Sequence, residues 1–182
     1  MDMRHTTAAM VVFTLTALAP TALQGQDDRW SVEGRLGSTI PTGDLTGPGL
    51  NQTAGLSFGA DLMYTVSPNL TVFGGAGHHR FACDDCSADV SSTGLDGGIK
   101  YLFGADRSAM PWMRAGVMVH RPEIDDQEGD WNAGLDSGVG IDWLVTDRLT
   151  LVPALRYNTY GAEETTLSYF TIDLGGHLHV GS

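Results

Sequence analysis

Two cysteines stand three residues apart in Cys83-Asp-Asp-Cys86, and the chain holds no others. A pair this close in an oxidising compartment forms a local disulfide, and the tiny ring it closes constrains the unfolded chain little. The same thiols with His78, His79 and His120 could instead hold a metal by His/Cys ligation, or remain free. The reading here is a disulfide, with no metal and no cofactor. Histidines and serines also raise the question of nucleophilic catalysis, which needs a nucleophile, a base and an orienting acid in contact. Ser91, Ser92 and Ser168 fall near the same strand ends as His79 and His120, but no motif ties them into a triad, so an enzyme is not expected. The segment Arg121-Pro-Glu-Ile-Asp-Asp-Gln-Glu-Gly-Asp130 is strongly acidic, but its spacing fits no calcium loop and reads as a solvated loop.

The more telling residues are ionisable side chains set inside alternating apolar stretches. Where apolar residues fix the phase of a strand (Trp30/Val32/Leu36, Leu135/Val139/Ile141/Trp143, Phe170/Ile172/Leu174/Leu178), the charges fall on the opposite parity. They are Glu33, Arg35, Asp61, Asp96, Lys100, Arg114, Asp136, Asp142, Arg156 and Asp173, interspersed with Gly59, Gly75, Gly98, Gly116, Gly138, Gly140 and Gly175. Six acids and four bases on one crowded, glycine-rich face read as a charge network filling a narrow interior, with Arg35, Arg114 and Arg156 as hubs because one guanidinium can bridge two carboxylates.

These residues need long two-faced strands to position them. Period-two alternation predicts eight: Trp30–Ile40, Ala54–Val66, Leu70–Phe81, Thr93–Phe103, Met110–Arg121, Ala133–Val145, Leu149–Tyr160 and Leu167–Val180. Ten or more residues is long for a soluble strand and right for a tilted membrane-spanning one. Connections alternate short (Ser67-Pro68-Asn69, Gly104–Ala109, Thr146-Asp147-Arg148) and longer (Pro41–Thr53, Ala82–Ser92, Pro122–Asn132, Gly161–Thr166), the arrangement of turns and loops in a membrane barrel. Tyr64, Tyr101, Phe103 and Trp143 all flank the short turns, as an interfacial belt would. Alternation alone would serve a secreted soluble ligand-binding barrel equally; the loop asymmetry and the belt favour the membrane.

The remaining composition fits. Residues 8–19 are a short apolar run after Arg4 and His5, and small and polar residues lead from it to Gly25-Gln26. That layout reads as a cleaved signal peptide over 1–25 and a single barrel domain over 26–182. A dozen apolar residues is too short for a membrane helix. A net charge of −12 argues against nucleic acid. The fold class expected is therefore all-β, an eight-stranded antiparallel transmembrane up-and-down β-barrel.

On these features the chain resembles the small outer-membrane β-barrel proteins, the group of the OmpA transmembrane domain and the OmpX-like and OmpW-like barrels, over Trp30 to Val180. Its last strand, Asp173-Leu-Gly-Gly-His-Leu-His-Val180, is similar to that group's C-terminal assembly signal. The resemblance implies that Asp173, Gly175, Leu178 and Val180 are read by the barrel-assembly machinery, although the group usually ends on an aromatic residue. It also implies a location in the cell outer membrane, contact with outer-membrane lipid and lipopolysaccharide, and a monomer. The function expected is a filled-lumen structural anchor or surface-interaction protein. The alternative, implied by the OmpW-like resemblance, is a narrow channel for small or hydrophobic solutes, for which Ala54–Phe58 and Phe73–Ala76 supply apolar lining.

Overall fold

The computed structural model describes residues 29–43, 52–83, 90–104, 108–124, 127–146, 148–162 and 165–179. They form nine strands: β1 (Trp30–Gly43), β2 (Gln52–Ser67), β3 (Leu70–Cys83), β4 (Val90–Leu102), β5 (Ala109–Ile124), β6 (Gln127–Glu128), β7 (Asn132–Leu144), β8 (Leu149–Ala162) and β9 (Thr165–His179). Each long strand pairs antiparallel with its neighbour in sequence, with β5 passing directly to β7, and β1 pairs with β9 from Ser31↔His179 to Gly43↔Leu167. That last ladder joins the first strand to the last and closes an eight-stranded barrel without a free edge, the one sheet form in which every backbone group of a lipid-facing wall is bonded. β6 is a two-residue addition that folds back on Glu123 and Ile124 outside the ring.

Alternation decides what each wall faces. The outward residues are large and apolar, and among the most exposed are Leu56 at 66%, Leu36 at 64% and Val117 at 64%. A soluble domain rarely shows so continuous an apolar surface; hydrocarbon is the solvent such a wall fits. At the short-turn end, Trp30 and Tyr64 lie 4.9 Å apart and Tyr101 and Phe103 5.2 Å apart, with Trp143 exposed beside them.

The turns are fixed by local chemistry. Asn69 Nδ2 donates to Leu102 O at 2.8 Å, tying the β2–β3 turn to the next hairpin. Gly104 takes the left-handed conformation, φ 84°, as β4 ends, a geometry that costs glycine nothing. Before β8, Thr146 Oγ1 accepts from the backbone N–H of Leu149 at 3.1 Å, a hydroxyl standing in for a turn carbonyl. Pro153 interrupts the β7–β8 ladder, whose pairs run to Gly140↔Ala154 and resume at Trp143↔Leu151, because proline has no N–H to give.

The strands run further toward the loop end than alternation predicts. β1 continues to Gly43, β3 to Cys83 and β5 to Ile124, while β2 and β4 begin at Gln52 and Val90. Above the apolar belt the outward residues become Thr42, Thr53, Ser91 and Arg121, so the amphipathic pattern fades before the hydrogen-bond ladder does. β6, Gln-Glu, carries no pattern at all. Residues 1–28, Cys86 and Val180 lie outside the described residues, and with them the expected signal peptide, one member of the cysteine pair and one residue of the expected assembly signal.

Candidate functional site

Every barrel strand except β3 sends at least one charged side chain inward, and these side chains meet at mid-height. Glu33 and Arg35 come from β1, Asp61 from β2, Asp96 and Lys100 from β4, Arg114 from β5, Asp136 and Asp142 from β7, Arg156 from β8 and Asp173 from β9. β3 contributes Phe73 and Gly75 instead. A Cβ at Gly75 would overlap the Asp61 carboxylate, and one at Gly59 would sit 2.9 Å from the Arg35 guanidinium. The glycines are the space the charges occupy.

Arg114 is the most connected cation. Its Nε donates to Asp136 at 2.7 Å, Nη1 to Asp61 at 3.1 Å and Nη2 to Asp96 at 2.7 Å, while the guanidinium lies 3.8 Å over the ring of Phe73. Arg35 pairs with Asp61 and, at 3.2 Å, with Asp96. Arg156 reaches Glu33 at 3.1 Å, Asp173 at 3.5 Å and Asp61 at 4.0 Å. Lys100 holds both oxygens of Asp142, at 2.7 and 2.9 Å, and stands 3.9 Å from Glu33 and 4.7 Å over Trp112. The ten side chains thus form one connected network. Its hub on the acidic side is Asp61, which touches all three arginines; reasoning that ranked only guanidinium groups as hubs missed it. Ser57 and Thr171 hydroxyls donate to Asp173 at 2.9 and 3.0 Å, completing its shell.

On each side of this charged waist the lumen holds an apolar cluster. Phe81, Val90, Met118, Tyr160, Leu167 and Tyr169 form one cluster toward the loops; Leu102, Trp112, Val152 and Ala154, with Met110 against them, form another toward the turns. Sequence reasoning does not find these caps, because it spends the apolar residues on defining the outer face. Their signal is parity: Trp112 and Met118 alternate in phase with Arg114, Tyr160 with Arg156, and Tyr169 with Asp173.

A polar group stands beside the loop-side cluster. Tyr160 OH donates to Ser92 Oγ at 2.9 Å, and Ser92 Oγ is 2.9 Å from His120 Nδ1. The His120 and His79 ring centroids lie 5.6 Å apart with the rings tilted by 34°, and those of His79 and Tyr169 lie 4.9 Å apart. A serine and a histidine are therefore joined, which the sequence left unlinked. Among the described residues no carboxylate bonds to the other His120 nitrogen, and the His120 ring lies 5.8 Å from that of Tyr160. No group of three His, Cys, Asp or Glu among the described residues is arranged to hold a metal. A cavity of about 10 Å³, bordered by Arg35, His79, Asp96, His120, Asp136, Arg156, Asn158, Thr171 and Asp173, has room for about one water.

Other candidates lie outside the lumen or at its ends. Leu56, Phe58 and Ala76, offered as a solute lining, face outward, and of the apolar residues in those segments Phe73 alone is buried inside, beneath Arg114. The correction is one of parity: they belong to the lipid-facing wall. Cys83 closes β3 at the loop end. Of the residues expected to form an assembly signal, Asp173 and Gly175 point inward and Leu178 outward.

Comparison with solved structures shows the same fold. Neisserial surface protein A is similar at a TM-score of 0.72 and 17% identity, covering 83% of this chain and 97% of its own. OprG of Pseudomonas aeruginosa gives 0.56 and 12%, covering 84% and 96%. Ail, the attachment invasion locus protein of Yersinia pestis, gives 0.53 and 11%, covering 84% and 100%. No protein-family signature matches the chain, and no curated protein does. The fold is that of the small eight-stranded outer-membrane β-barrels.

Proposed function

We propose that this chain is an outer-membrane anchor whose working part is its loop face, a surface-interaction protein with a filled, non-conducting lumen. The carrying observation is the interior: a connected ion-pair network with an apolar cluster on each side of it, which offers a solute no continuous path. With the lumen closed, what remains is the loop end. Glu123, Glu128 and Asp130 stand there, and the sequence that connects the strands at that end adds Asp84, Asp85, Asp125, Asp126, Glu163 and Glu164. Two of the similar proteins are a neisserial surface protein and an attachment invasion locus protein, names that fit such a role.

On this reading the chain is exported by a cleaved N-terminal signal, is inserted through its last strand by the barrel-assembly machinery, works without catalysis or a cofactor, and carries a Cys83–Cys86 disulfide in an exterior loop. Labelling intact Gram-negative cells expressing the protein with a membrane-impermeant maleimide tests the central points. Labelling of Cys83 and Cys86 only after mild reduction is expected. Labelling without reduction would remove the disulfide, and labelling only after lysis would overturn the outward placement of the loops.

A further inference from the structure

Of the six histidines in the sequence, two are enclosed together inside the barrel at its loop end. His78 faces outward from β3, and His177 lies at the turn end of β9. His79 on β3 and His120 on β5 point into the lumen, are buried, and have ring centroids 5.6 Å apart. Neither takes part in the ion-pair network, and packing alone does not call for an imidazole.

Hydrogen bonds decide where the pair keeps its protons. Tyr160 OH donates to Ser92 Oγ at 2.9 Å, and Ser92 Oγ lies 2.9 Å from His120 Nδ1. With Tyr160 giving its hydrogen to the serine, the serine's own hydrogen goes to His120, which makes Nδ1 the accepting nitrogen. The imidazole proton then sits on Nε2, a tautomer assigned from the hydrogen-bond chain. That chain ties β8 to β4 and β5, strands with which β8 shares no ladder. The ring is pinned on one side: a Cβ at Gly94 would overlap His120 Cδ2, so the imidazole lies directly against β4.

A second proton on either ring would enter a place already supplied with positive charge. Arg35 from β1 and Arg156 from β8 border the same cavity of about 10 Å³ as the two rings. Arg35 Nη2 and His79 Nε2 stand 3.3 and 3.4 Å from one point, where a Cβ on Gly77 would sit. The carboxylates on that border are engaged: Asp96 of β4 by Arg35 and Arg114, Asp136 of β7 by Arg114, and Asp173 of β9 by Arg156 and Ser57. The remaining titratable neighbours are phenols, with the Tyr160 ring 5.8 Å from that of His120 and the Tyr169 ring 4.9 Å from that of His79. Among the described residues β2 brings no ionisable side chain to the cavity.

We propose that the His79–His120 pair is an acid sensor inside the lumen, holding the loop-side ends of β3, β4 and β9 together while both rings are neutral and releasing them on gaining a proton. Imidazole is the side chain whose charge changes between about pH 5 and 8. In the closed barrel a proton arriving at His120 must take Nδ1, which turns the Ser92 hydroxyl away and cuts the tie to Tyr160. The opened end hydrates the imidazolium and binds the proton that the closed end excludes. Opening is therefore favoured as pH falls below about 6.5, the ordinary histidine value. What is released is local. Phe81, Val90 and Leu167 pack in one cluster with Tyr160 and Tyr169 and lie where β3, β4 and β9 meet their loops, whereas the waist keeps its ion pairs.

Hydrogen–deuterium exchange of the detergent-folded full chain at about pH 7.5 and about pH 5, on either side of the histidine range and corrected for intrinsic rates, tests this. Amides of Phe81–Cys83 and Val90–Ser92 are expected to lose protection about tenfold at the lower pH, the scale of one hydrogen bond. Those of Val72–Gly75 are expected to hold theirs. H79Q/H120Q is expected to show no such difference, and His177→Gln to keep it. Unchanged protection in the parent, an equal loss at Val72–Gly75, a loss that survives in H79Q/H120Q, or one abolished by His177→Gln would overturn the sensor. The parent alone supplies a second check should the double variant not fold. Imidazole nitrogen NMR at the higher pH is expected to find His120 protonated at Nε2; a proton on Nδ1 would overturn the tie to Ser92.

Discussion

The waist of the lumen and its two caps close the same space by opposite physics. At the waist, ten charged side chains are withdrawn from water and held by one another; each is tolerable only while its partners are present. At the caps, Phe81, Met118 and Tyr169 on one side and Trp112 and Val152 on the other exclude water by packing, and removing one leaves a cavity but no orphan charge. The lesson is that the waist supplies uniqueness and the caps supply closure. Removing a charge should therefore be felt by several strands at once, whereas removing a cap residue should be felt locally.

The largest effect is expected at Arg114. Arg114→Met leaves Asp61, Asp96 and Asp136 short of a shared donor, and a loss of about 3–5 kcal/mol in urea unfolding of the lipid-folded barrel is expected. A cost under about 1 kcal/mol would show that the acids are solvated and the waist is not a plug. Met118→Ala, in the loop-side cap, is expected to cost less, about 2–3 kcal/mol, from lost burial and the cavity left behind. A double variant sharpens the contrast. Arg114→Met combined with Met118→Ala should be close to additive if the waist and cap act separately. A coupling above about 1 kcal/mol would merge them into one unit.

Much of this architecture was legible because a membrane barrel writes its solvent into every second residue. Leu36, Leu56, Val117 and Leu135 mark the lipid face, and the same parity rule sends Arg35, Asp61, Arg114 and Asp136 inward without any knowledge of tertiary contacts. Partner choice was not legible. That Asp61 would meet three arginines depends on barrel shear and on room made by Gly59 and Gly75, which only the closed ring defines. The caps escaped for a different reason: Trp112, Met118 and Tyr169 are apolar residues on a polar face, and a two-letter pattern reads them as exceptions. The Ser92–His120 contact joins neighbouring strands β4 and β5 out of direct register, and no local spacing announces it.

The central claim is that the barrel is closed along its length. Planar-bilayer recording from the purified, folded protein tests it most directly, with Arg114→Met and Trp112→Ala recorded beside it. The account predicts no stable unitary conductance from the parent, and brief, irregular openings from the variants if they conduct at all. A steady ohmic channel in the parent would contradict it.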